Sequence, residues 1–79
     1  MNNDDITLCS LDIGKKGKVK SIMIDGLMKR RLLDLGLIDN TLIEALYKSP
    51  FGDPVAYFIR GTVIALREDI ASKILIEKI

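Results

Sequence analysis

Apolar and polar positions change period along this chain, and each change marks an element. Val55, Tyr57 and Ile59 alternate with Ala56 and Phe58, and Thr62, Ile64 and Leu66 alternate with Val63 and Ala65. A period of about two predicts two β-strands, with Arg60-Gly61 as the bend between them. Upstream, Ile43, Ala45 and Tyr47 alternate against Leu42, Glu44 and Leu46, so residues 41–48 read as another strand, entered through the turn at Asp39-Asn40. Val19, Lys20, Ser21 and Ile22 mix apolar with polar after a glycine-rich turn, and residues 74–79 supply a closing strand. The period lengthens between 25 and 36. Met28, Leu32 and Leu35 stand at i, i+4 and i+7 and predict one helix over 27–35, capped by Asp25 and closed by Gly36. Those three should lie on the sheet, flanked by Leu33, with Lys29, Arg30 and Arg31 on the opposite side. Glu68, Asp69, Ile70 and Lys73 suit a single helical turn before the last strand.

The pattern is therefore mainly β: about five strands, one α-helix and a short helical turn. So few short strands cannot make a sandwich, and closing the sheet on itself removes edges while creating a core, which favours a small SH3-like barrel. Residues 1–5 are polar and expected to fray, while Ile6, Leu8 and Leu11 are apolar enough to dock, so residues 6–79 form one domain.

Composition narrows the function. At 79 residues the chain buries only about 60% of its unfolded surface, and the single cysteine, Cys9, rules out an internal disulfide. Cys9 lies in an apolar stretch and reads as a small buried hydrophobe. Histidine is absent, which removes the commonest transition-metal ligand and the commonest catalytic base. The carboxylates are scattered among turns, the helix start and strand faces, so neither an acid–base pair nor an oxygen-ligand metal site is assembled. No enzyme and no cofactor is expected. A formal charge of +1 gives no general attraction to nucleic acid or anionic membranes. With no leader sequence and no apolar run near the roughly 18 residues that span a bilayer, no membrane insertion and a cytoplasmic location are expected.

Gly14 and Gly17 with Lys18 fall short of a phosphate-binding loop, whose glycines need four residues between them, and make a turn before a strand. Gly-x-x-Gly-x-Val-x-x-Ile also occurs in small barrels that bind ribosomal RNA, which keeps an RNA-associated barrel as the alternative. Five residues are candidates for contact with a partner. Lys29, Arg30 and Arg31 form either a solvated face or a docking patch. Phe51, between two prolines, either folds back as a lid on the core or stays exposed as an anchor. Asp53, between Gly52 and Pro54, most simply bonds the backbone of its own turn, a partner contact being the other use of its carboxylate.

Ser49-Pro-Phe-Gly-Asp-Pro, a tyrosine three residues on, Ile59-Arg60-Gly61 and Ile64-Ala65-Leu66-Arg67 resemble the hallmark of the FeoA family. Leu8, Leu11, Gly14, Gly17, Val19 and Ile22, and then Arg31-Leu-Leu-Asp-Leu-Gly-Leu, extend the resemblance over nearly the whole chain. One departure is Asn40, where the family commonly has glycine. The resemblance implies an SH3-like barrel, a non-enzymatic accessory role in bacterial ferrous iron uptake, and a partner in the cytoplasmic GTP-binding domain of a large membrane permease.

Overall fold

The computed structural model describes residues 5–79. Six strands form one antiparallel sheet: β1 (Asp5–Thr7), β2 (Lys16–Ile22), β3 (Leu42–Lys48), β4 (Val55–Ile59), β5 (Thr62–Leu66) and β6 (Ile74–Lys78). Their order in the sheet is β1-β6-β2-β3-β4-β5, which leaves β1 and β5 as edges. A 3-10 turn, Leu8–Ser10, follows β1; helix α1 (Gly26–Asp34) joins β2 to β3, and α2 (Glu68–Ala71) is a single turn between β5 and β6.

The sheet curls because two of its ladders slip. Pairing of β2 with β6 shifts between Val19 and Ser21, and that of β3 with β4 between Ala45 and Tyr47. An extra residue on one strand bends it and increases its twist, which lets a single sheet wrap around its own inner face as a small open barrel. Leu8, Val19, Ile43, Tyr57, Ile59, Ile74 and Ile76 fill that inner face, each at 1% exposure or less. The second slip also corrects the alternation expected along β3. Ile43 and Ala45 point inward, but the irregularity beyond Ala45 turns Tyr47 out to solvent.

The predicted strands over 55–59 and 62–66 are found with those bounds. Arg60 at φ 50° and Gly61 at φ 82° form the two-residue turn between them, whose right-handed twist matches that of the strands. Asp5, expected to fray, pairs with Glu77; the rest of that expectation, residues 1–4, lies outside the described residues. β1 is the sixth strand, absent from the expected count because three residues carry no readable period.

Helix α1 starts after Asp25, whose side chain makes no capping hydrogen bond, and ends as expected. Gly36 adopts φ 103°, its N–H donates to the Leu33 carbonyl at 3.0 Å, and the Leu37 N–H donates to the Leu32 carbonyl at 3.0 Å. This paired closure brings Leu32 and Leu37 into the core together. Of the expected contact face, only Leu32 is buried; Met28 and Leu35 stay partly exposed, as does Leu33. The helix thus enters the core through one side chain rather than a broad stripe.

Candidate functional site

The loop over 49–54 is tied together by hydrogen bonds of its own. Ser49 N–H donates to the Pro54 carbonyl (3.1 Å), Ser49 Oγ to the Asp53 carbonyl (2.7 Å), and Gly52 N–H to the Ser49 carbonyl (2.8 Å). The Asp53–Pro54 peptide bond is cis. The sequence leads one to expect the Asp53 carboxylate to bond its own turn, and it does not. Instead Oδ1 accepts the Glu68 N–H at 2.9 Å, the first residue of α2, fifteen positions away. A helix start leaves its first amide donors without intrahelical partners, so an anionic oxygen placed there satisfies one of them. The loop is thus fixed at both its base and its far side.

What this frame carries is Phe51, 95% exposed. Of the two possibilities open from sequence, the lid on the core is excluded by that value. A phenyl ring left in water forgoes about 1.5 to 3 kcal/mol of burial, so the loop's bonds hold the ring out against the hydrophobic effect.

Tyr57, in the middle of β4, is buried in the core. Burial pushes its phenol up to about 12, and the nearby Cys9 thiol and Asp53 carboxylate act in the same direction. Cys9 itself is exposed, not the buried hydrophobe expected, because the 3-10 turn after β1 sends Leu8 inward and Cys9 outward. Its Sγ lies 3.3 Å from Thr7 Oγ1.

The basic trio sits elsewhere. Lys29, Arg30 and Arg31 are exposed on α1, and the shallow depression on that helix is lined by Leu27, Lys29, Arg30 and Leu33 together with Gly26 and Asp34. No residue of the 49–54 loop takes part. Gly36, at the end of α1, touches the other end of the hairpin: a Cβ there would come within 2.6 Å of Arg60 Cδ. Leu27, 82% exposed, adds an apolar centre to the basic patch, which its place within the helical period does not signal. Among the described residues no group of three or more His, Cys, Asp or Glu side chains is placed to hold a metal ion, and no helix is long and apolar enough to cross a membrane.

The FeoA domain matches residues 6–78. A FeoA-like protein of Clostridium acetobutylicum superposes with a TM-score of 0.86 at 33% identity, covering 99% of this chain and 91% of that one. The FeoA protein of Chlorobium tepidum does so with a TM-score of 0.89 at 28% identity, covering 94% and 70% respectively. Stenotrophomonas maltophilia FeoA, solved with zinc and described as a procaryotic SH3 domain protein proposed to activate ferrous iron transport, gives 0.81 at 25% identity over 91% and 89%. No curated protein is a match.

Proposed function

This chain belongs to the FeoA domain family, and from that premise we propose that it is a non-enzymatic cytoplasmic accessory protein of ferrous iron uptake. It acts by docking on the cytoplasmic GTP-binding domain of the membrane ferrous iron permease. The observation that carries the docking mode is Phe51, held 95% exposed by a loop bonded on both sides. An aromatic ring on a rigid support loses little conformational freedom on binding and suits a partner pocket as an anchor. Lys29, Arg30 and Arg31 on α1 supply charge that steers approach without being buried in the contact.

The alternative, an RNA-associated barrel, finds no support in the sheet. Lys16 and Lys18 stand across from Glu44 and Glu77, and Lys20 Nζ lies 3.7 Å from Glu77 Oε1. A lysine row faced by carboxylates neutralises itself locally and presents no basic track to a phosphate backbone.

A titration against the isolated permease domain, in its nucleotide-free, GDP and GTP-analogue states, tests the reading. Phe51→Ala should weaken binding by about 1 to 3 kcal/mol, mainly through faster dissociation. Arg30→Ala with Arg31→Ala should chiefly slow association and flatten its salt dependence. Both variants must melt like the parent. Binding that neither variant alters moves the contact surface elsewhere, and no binding in any nucleotide state refutes docking.

A further inference from the structure

The two edges of the sheet are built differently. β1 is three residues long and begins with a charge, Asp5, which is how natural sheets blunt an edge. β5 has none of these protections. It is five residues long, Thr-Val-Ile-Ala-Leu, without charge, proline or glycine, and its pairing with β4 runs without a slip from Leu66 to Thr62. Because a two-residue turn joins β4 to β5, Ile59 and Thr62 form the first hydrogen-bonded pair, and the amides and carbonyls of Val63 and Ala65 point away from β4. No described hydrogen bond takes up these groups. Val63 is half exposed, and it lies beside Phe58 on the outer face, itself 41% exposed.

We propose that the β5 edge is an interface for a second copy of this chain, pairing β5 with β5 antiparallel about a two-fold axis at Ile64. That register is the one the strand's own chemistry selects. It sets Val63 opposite Ala65 of the second copy, so each outward-pointing amide meets an outward-pointing carbonyl. It sets Ile64 opposite Ile64, extending the inner face, and joins the Phe58–Val63 strips into one apolar band across the axis. Beyond the strand ends it brings Arg60 of one copy towards Glu68 of the other, twice by symmetry; both residues are exposed, and the flexible Arg60 side chain, which rests on Gly36, swings across to make the pair. Shifting the axis by one residue, to Val63 or to Ala65, loses that charge match. A single strand pair buries less than a standard interface, so the association is weak and concentration-dependent.

Sedimentation equilibrium of the full chain, from low micromolar to about 1 mM, is the test. A monomer–dimer equilibrium is expected, with exchange of the Val63 and Ala65 amides slowing as concentration rises. Val63→Lys, on the outer face, should weaken the dimer at least about tenfold. Glu68→Arg should weaken it as well, and Arg60→Glu combined with Glu68→Arg should restore it to within about threefold. That rescue separates two-fold strand pairing from general stickiness and does not depend on how well the lysine variant folds. A monomer at the highest concentration overturns the proposal. So does a dimer whose Val63 and Ala65 amides stay unprotected, or one that the charge exchange fails to restore. A chain that stays monomeric while Val63→Lys abolishes binding of the permease domain also overturns it, since the edge would then receive a partner's strand.

Discussion

Replacing Leu32 by alanine separates a helix that belongs to the core from one that merely lies near it. Leu32 is 1% exposed and is the one buried side chain of α1, whereas Met28 and Leu35 on the same face are 38% and 44% exposed. Truncating a fully buried leucine removes its transfer free energy and leaves a cavity, together costing about 2 to 5 kcal/mol. A chain of 79 residues has a total stability of about 4 to 12 kcal/mol, so a loss of 3 is a large share. In urea, with a slope of about 1 to 1.5 kcal/mol/M for so small a protein, the midpoint should fall by about 2 to 3 M. Met28→Ala and Leu35→Ala remove side chains already partly exposed and should each cost well under the Leu32 value, about 1 kcal/mol. Leu32→Asp, which buries an unpaired carboxylate at a cost of several kcal/mol, should leave little or no folded protein. Circular dichroism and tyrosine fluorescence must report one shared transition throughout. If Leu32→Ala shifts the midpoint no more than Met28→Ala, or if the helix signal is lost in a separate earlier step, α1 is an appendage and its place in the core is wrong.

Removing the Asp53 carboxylate as Asp53→Ala should cost about 0.5 to 2 kcal/mol in urea melts through the orphaned Glu68 amide, and a change below that range would show the bond to be unimportant. Tyr57 makes stability depend on alkaline pH. Its phenol is raised from 10.0 to about 12 in the folded protein, so the neutral ring stabilises the fold fully below pH 10 and this contribution is lost as pH rises through 12. Phenolate absorbance should place the Tyr57 midpoint near that value, and Tyr57→Phe should lessen the fall in stability over this range. The isolated chain should show no submicromolar ferrous iron site by anaerobic calorimetry, since the described residues group no ligand set; a stoichiometric tight site would require ligands from more than one chain.

The strands from 55 to 66 were legible because each side chain alternation runs uninterrupted and the turn residues fit only one geometry. The helix was legible in place but not in depth: a spacing of i, i+4 and i+7 identifies a face, while the width of the groove that receives it belongs to the sheet. Tyr47 defeated the period because a slip in pairing, not the residue itself, decides which way it points. Cys9 and Asp53 show the same limit. A 3-10 turn sets the exposure of the first, and the partner of the second lies fifteen residues away, beyond any local pattern. Phe51 could be flagged in sequence as a choice between lid and anchor, but only the bonding of its loop decides the outcome.

Gly36 and Asn40, four positions apart, both occupy left-handed backbone, at φ 103° and 68°. Their tolerance to replacement is nonetheless unequal. Asn40 meets a torsional demand, which asparagine satisfies at a smaller cost than other side chains and glycine at none. Gly36 answers two demands at once. Any side chain there, asparagine included, would take on the strained torsion and also bring its first carbon to 2.6 Å from Arg60 Cδ, so that the flexible arginine would have to shift. The helix terminus and the hairpin tip therefore meet where an atom is absent, and exchange at 36 is coupled to residue 60 while exchange at 40 answers to its torsion alone.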